Sequence, residues 1–127
     1  MKNAIKILAI IASLPLLVLG AKAMFFPTSM FEMFDLKPQG TFGMNTIRAD
    51  LGGMLIASAV MIYVGLWKQN TTWFLATILI MSTLLVGRAI SFASDGWTNA
   101  AIPAVVVEVF VISVLSVAHN TLGATKE

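Results

Sequence analysis

Four long apolar segments, separated by short polar ones, dominate the pattern of the chain. A helix needs about 20 mostly apolar residues to cross about 30 Å of hydrocarbon, and each segment is at least that long. The pattern therefore predicts an all-α protein with membrane-spanning helices over residues 4–26, 43–67, 71–92 and 99–119. Since the connections are short, we expect one domain: an antiparallel bundle of four transmembrane helices.

The turn between the second and third predicted spans is very short. It consists of Lys68-Gln69-Asn70, and Trp67 and Trp73 lie on either side of it. Tryptophans in such positions are typical anchors at the membrane surface. Because the turn is so short, the two helices are expected to be antiparallel neighbours.

The longest connection has a helical pattern of its own. Ser29 and Glu32 have capping-box spacing, in which the serine accepts from first-turn amides and the glutamate reaches back. Lys37-Pro38-Gln39-Gly40 is typical of a helix end. We expect a short interfacial helix over residues 29–37, lying on the membrane. It acts either as a packed loop, which we favour, or as a lid.

The first apolar segment has two interpretations. Lys6 and Lys22 flank it as snorkelling residues flank a retained helix, which is the interpretation we favour. Positive charge before an apolar core, with Ala21-Lys22-Ala23 after it, is also typical of a cleavable signal peptide.

The composition agrees with a membrane protein. Of the 127 residues, 58% are hydrophobic and 11% are charged, whereas a soluble domain is about 25% charged. The absence of cysteine excludes disulfides and Cys-ligated metals. The net charge is +2 and no basic run occurs, so nothing indicates a nucleic-acid partner. We predict no cofactor and no metal.

The distribution of lysines indicates an orientation. On one side of the membrane lie Lys2, Lys6, Lys68 and Lys126, and on the other lie Lys22 and Lys37. The positive-inside rule then predicts that both termini are cytoplasmic. Counting Arg48 and Arg88 as loop charges on the second side removes this bias.

The candidates for a site are seven polar or charged residues at or near the predicted spans, in the same half of the bundle: Asn45, Arg48, Asp50, Arg88, Ser91, Asp95 and Glu108. Glu108 lies deepest, about 14 Å into its helix at 1.5 Å per residue. A charge at mid-membrane costs about 2.5–3.5 kcal/mol, so such groups must pair, face water or become neutral.

Helical spacing indicates which of these residues meet. Asn45 and Arg48 share a face of the second span. Arg88, Ser91 and Asp95 share a face of the third. We predict a buried polar cluster in one leaflet, with Arg48 and Arg88 opposite Glu108, Asp95 and Asp50. Such a cluster either ties the helices together or lines a cavity for a small ligand, a lipid headgroup or a proton.

Small residues recur at every fourth position of the second span, at Ala49, Gly53 and Ala57. This spacing predicts close helix packing within or between protomers.

Several of these motifs carry a resemblance to a known family. They are the stretch over residues 43–53, the Gly87-Arg88-Ala89-Ile90-Ser91 box, Asp95-Gly96 and Glu108. Together they resemble a family of small bacterial membrane proteins, a domain of unknown function grouped with the DoxX-like and DoxD-like four-helix proteins. The resemblance covers nearly the whole chain. It implies a four-helix bundle in the bacterial inner membrane and no established activity, and the lack of cysteine sets the chain apart from thiol-redox members.

Three functions are consistent with these features. The first, which we favour, is a non-catalytic module that binds a lipid or small molecule, or that joins a homo-oligomer or larger membrane complex. The second is a small proton-coupled transporter in which Glu108 exchanges a proton for a cation. The third is a membrane enzyme acting on a lipid, with Glu108 or Asp95 as acid or base.

Overall fold

The computed structural model describes residues 1–123, and every regular element in that range is a helix. As predicted, four helices are long and apolar enough to cross a membrane. They are α1 (Lys2–Phe25), α3 (Gly40–Trp67), α4 (Thr72–Ser94) and α5 (Ile102–Gly123), with the short α2 (Ser29–Phe34) after α1 and a 3-10 turn (Asn99–Ala101) before α5. Lys126, part of the charge distribution discussed above, lies outside the described residues.

Each long helix packs against two others: α1 contacts α3 and α5, and α4 contacts the same two helices. The side chains that meet in the middle are apolar and mostly fully buried, among them Ala9, Ala12, Leu16, Ala59, Ile62, Phe74, Met81, Val111 and Leu115. Large apolar side chains also cover the outside, where Leu79 is 68% exposed and Val106 is 59% exposed. Helices that are apolar all round suit a membrane.

The backbones of α1 and α3 come very close to each other where the two helices cross. A methyl group added at Gly20 would lie 2.9 Å from the backbone nitrogen of Ile56, and one at Gly52 would lie 2.9 Å from that of Met24. The two backbones therefore touch at this crossing, and only glycine fits between them.

The small-residue stripe predicted for this packing is wrong as far as contacts within the chain are concerned. Ala49 and Ala57 are exposed, and a methyl group at Gly53 would contact nothing within 4 Å. Residues Ile47–Gly53 form a π-helical segment of α3, in which i→i+5 hydrogen bonds shift the face that meets α1. Packing of the stripe between protomers stays a prediction.

Buried hydroxyl groups join α3 both to α1 and to α4. The Ser13 hydroxyl of α1 lies 2.8 Å from the Tyr63 hydroxyl of α3. Thr77 of α4 donates to the backbone carbonyl of Ser58 at 3.3 Å. Such bonds inside a membrane contribute about 0.6 kcal/mol on average, so they fix the register of the helices more than they stabilise them.

Helix α2 is packed onto the ends of the long helices. Its Met30 is fully buried beside Ala23 and Ile47. The predicted capping box is wrong, because the Ser29 hydroxyl donates to the carbonyl of Phe26 and no side chain caps the helix. The helix ends at Phe34 rather than at residue 37, because Asp35 adopts a left-handed conformation with φ of 48°.

Candidate functional site at an intramembrane ion pair

Arg88 and Glu108 form an ion pair between α4 and α5. Arg88 lies six residues before Ser94, where α4 ends, and Glu108 lies six residues after Ile102, where α5 begins. Each is therefore about 9 Å from its helix end at 1.5 Å per residue. Because only residues 95–101 connect the two helices, equal distances from these ends bring the side chains to the same level.

The pair has the side-on geometry of a bidentate arginine–carboxylate interaction. The Nε of Arg88 donates to Oε1 and Oε2 of Glu108 at 2.9 and 3.0 Å. Its Nη2 donates to Oε1 at 2.8 Å. Glu108 is 5% exposed, while the side chain of Arg88 is 28% exposed. Both carboxylate oxygens of Glu108 thus accept hydrogen bonds from the guanidinium, and Arg88 is the more exposed member of the pair.

Two cavities meet at Arg88. An inner cavity of about 70 Å³ lies between the helices, lined by Leu16, Leu55 and Met81 together with Arg88 and Glu108. An outer groove of about 660 Å³ runs between α2, α4 and the start of α5. Arg88 lines both, whereas Glu108 lines only the inner cavity. A molecule in the groove therefore meets the arginine and not the glutamate.

The walls of the outer groove are mostly apolar. They include Met33, Phe34, Leu84 and Phe92, with Ser91 among the polar lining residues. Ser91 donates to the carboxylate of Asp95 at 2.8 Å, one helical turn further along. The pairing of Ser91 with Asp95 on one helix face is as predicted, but Asp95 is exposed and does not take part in the ion pair.

Arg48 does not join the pair. It is exposed, and its Nη1 donates to the carbonyl of Met24, one of the last carbonyls of α1. Carbonyls at a helix end lack partners within the helix and carry partial negative charge, so an arginine there acts as a cap. Asn45 and Asp50 are exposed, and their side chains form no hydrogen bond or ion pair within residues 1–123.

The predicted five-charge cluster is therefore wrong in its membership, since only Arg88 and Glu108 come together. The reason is the packing order: α3, which carries Arg48 and Asp50, packs on α1 and α4, while Glu108 lies on α5. Sequence reasoning also missed Phe34 and Asp35, which line the groove beside Arg88. No pattern in the sequence indicates that α2 and α4 line the same groove.

Replacing Arg48 with leucine should lower the free energy of unfolding by only about 0.5–1 kcal/mol, the usual effect of a charge at a helix end. The reason is that Arg48 caps an exposed carbonyl instead of neutralising a buried charge. Reversible unfolding in mixed detergent micelles measures the change. Arg48→Lys, which keeps the positive charge, should retain most of the stability. A loss above about 2 kcal/mol would instead indicate a role in an ionic cluster.

Comparison with known protein families identifies a family for this chain. A family model described as a domain of unknown function, DUF4345, matches residues 4–119 of the chain. This range includes all four long helices up to His119 and both members of the ion pair. No curated protein and no solved structure matches the chain.

Proposed function

The chain belongs to the DUF4345 family, a domain of unknown function, and we propose that it is a non-catalytic membrane module that binds an amphiphilic molecule beside Arg88 and Glu108. The observation that carries the proposal is the position of Arg88. The arginine is held by a buried carboxylate on one side and is accessible from a large groove on the other.

The shape and chemistry of the groove suit an amphiphile. Its volume of about 660 Å³ falls within the usual range for ligand sites, about 300–1,000 Å³. Such sites combine apolar walls with a few polar groups that orient the ligand. Here Phe34, Leu84 and Phe92 supply apolar wall, and Arg88 supplies the charged group.

The state of Glu108 supports binding over catalysis or transport. An acid, base or proton carrier must exchange its proton with a substrate or with water. Both oxygens of Glu108 accept from Arg88, and Glu108 does not line the outer groove. Proton exchange would first require the pair to separate.

The proposal includes the setting of the molecule. We place it in the bacterial inner membrane as an antiparallel four-helix bundle with both termini cytoplasmic. The ring of contacts among α1, α3, α4 and α5 and the distribution of lysines support this setting. Grouping with the DoxX-like proteins, and assembly into a homo-oligomer or larger complex, stay predictions from the resemblance and from the exposed small-residue stripe.

A variant that fills the groove while both members of the ion pair are kept tests the function. Gly87 lines the groove, and a methyl group added there meets nothing within 4 Å. We expect Gly87→Leu to reduce a co-purified amphiphile, measured by native mass spectrometry, by about tenfold or more, since about 1.4 kcal/mol of lost contact suffices.

The matched control is Gly53→Leu, because Gly53 is also helical, has open space around it and lines neither the outer groove nor the inner cavity. This variant should keep the bound molecule. Equal retention in both variants would contradict the proposal. Proton flux in vesicles that is abolished by Glu108→Gln would instead favour a proton-coupled transporter.

A further inference from the structure

Two residues that line the outer groove are ionisable, and they carry opposite charges. Arg88 belongs to α4, while Asp35 follows the last residue of α2. Asp35 is exposed, and its carboxylate has no hydrogen bond or ion pair within residues 1–123. The groove thus brings together an arginine and an unpartnered carboxylate from two different helices.

Arg88 keeps donors for a second partner. Its Nε and Nη2 donate to Glu108, and Nη1 makes no hydrogen bond within the described part of the chain. A guanidinium with a remaining N–H edge suits a phosphate, which offers several acceptor oxygens. In the groove, Arg88 is therefore a site for an anionic group.

The charge balance favours a ligand that also carries a cation. Glu108 offsets Arg88, so Asp35 leaves the groove with one uncompensated negative charge. A purely anionic headgroup would place its charge near that carboxylate without neutralising it. A headgroup with both a phosphate and an ammonium matches both residues.

The depths of the two residues also match the order of the charged groups in such a headgroup. Asp35 is exposed on the short connection outside the four spans, while Arg88 lies inside α4, about 9 Å from its end at 1.5 Å per residue. A phospholipid has its ammonium outermost, its phosphate deeper and its acyl chains deeper still. Phe34 and Leu84, which line the groove beside Arg88, suit the start of an acyl chain.

Deepening the binding function proposed above, on which this inference rests, we infer that the groove holds a zwitterionic phospholipid with a primary ammonium. Its phosphate contacts Arg88 and its ammonium contacts Asp35. A primary ammonium, as in an ethanolamine headgroup, donates N–H groups to a carboxylate, whereas the trimethylammonium of choline has none to donate. The groove therefore distinguishes ethanolamine headgroups from choline headgroups and from glycerol headgroups, which carry no cation.

Asp35→Asn tests the headgroup assignment. Asn tolerates the left-handed conformation as well as Asp does, so the variant removes the charge without straining the backbone, where φ is 48°. The protein is presented with nanodiscs that contain equal amounts of phosphatidylethanolamine, phosphatidylcholine and phosphatidylglycerol with identical acyl chains. Lipid retained on the released protein is counted by native mass spectrometry.

The natural chain should retain the ethanolamine lipid over the choline lipid by about tenfold, the usual effect of a charged hydrogen bond. In Asp35→Asn this ratio should fall to about one to two, because the carboxylate supplies the preference. Glu32→Gln is the matched control, since Glu32 is an exposed carboxylate of α2 that does not line the groove. This variant should keep the full ratio.

Four results would overturn the inference: equal retention of ethanolamine and choline lipids by the natural chain, preference for the glycerol lipid, an unchanged ratio in Asp35→Asn, or an equal loss in Glu32→Gln. The Gly87→Leu variant separates this failure from failure of the proposed function. If Gly87→Leu still removes bound lipid while Asp35→Asn has no effect, the groove binds an amphiphile but the headgroup assignment is wrong.

Discussion

Replacing Glu108 with alanine should destabilise the protein by about 3 kcal/mol. Removing one member of a buried ion pair costs about 3–5 kcal/mol, because the other charge is left uncompensated in a medium that cannot solvate it. We expect the lower end of that range, since the Arg88 side chain is 28% exposed and can regain some water. Reversible unfolding in mixed detergent micelles, followed by circular dichroism, gives the free energy of unfolding.

Two further variants show what the pair contributes. The double variant Arg88→Leu with Glu108→Leu should recover most of the lost stability, because replacing both charges removes the desolvation penalty as well as the attraction. Ser113→Ala is the control on the same helix, since Ser113 is exposed and bonds only to its own helix. It should change stability by less than about 0.5 kcal/mol. A loss of under about 1 kcal/mol in Glu108→Ala would mean that Arg88 is already solvated from the groove.

If the double variant regains stability but no longer retains lipid, the pair serves binding more than folding. This outcome has a physical basis: an intramembrane ion pair is weak evidence for stability, because desolvation offsets most of the attraction. The pair then persists because Glu108 holds the arginine at the wall of the groove, where a ligand meets it.

The half of the molecule that contains the ion pair could be predicted from the sequence, but its depth and its membership could not. The predicted start of the last span at residue 99 put Glu108 about 14 Å deep, whereas α5 begins at Ile102 and Glu108 lies about 9 Å from that end. Helix rise also places Arg88 in this half. It places Arg48 in the same half of the molecule just as well. What excludes Arg48 is that α3 packs on α1 and α4, and four apolar helices with similar patterns do not indicate which pairs are neighbours.

The groove could not be predicted from the sequence, for a different reason. The pattern predicted a short helix over residues 29–37, whereas the helix ends at Phe34, and it did not indicate the surface that the helix covers. Its end depends on the left-handed conformation of Asp35, and its position depends on the burial of Met30 beside Ala23 and Ile47. Both are tertiary properties, and together they bring Asp35 to the groove that Arg88 lines.

The prediction of close helix packing in the second span had the right residue type, since glycine does contact α1, but it chose the wrong positions. Glycine and alanine at every fourth position predicted the packing face, yet the face that meets α1 contains Gly52, one residue from Gly53. Residues Ile47–Gly53 are π-helical, and a wider turn changes the angle between successive side chains. Spacing rules that assume an α-helix fail in such a segment.

The neighbouring glycines of this segment therefore provide a sharp test. Gly52→Ala should lower the free energy of unfolding by about 1–3 kcal/mol, the usual cost of an added methyl group in a tightly packed interior. The new methyl group would lie 2.9 Å from the backbone nitrogen of Met24 and 3.2 Å from the carbonyl oxygen of Gly20. Neither is a flexible side chain, so α1 and α3 must move apart. Unfolding in mixed micelles measures the loss.

Gly53→Ala is the matched control, because the same methyl group there contacts nothing within 4 Å. Both substitutions remove the same backbone freedom and add the same helix propensity, so their difference isolates the contact with α1. We expect Gly53→Ala to be neutral or to stabilise by up to about 1 kcal/mol. Equal destabilisation by both variants would show that the segment needs glycine for its own π-helical geometry, and that the approach of α1 is not what excludes a side chain.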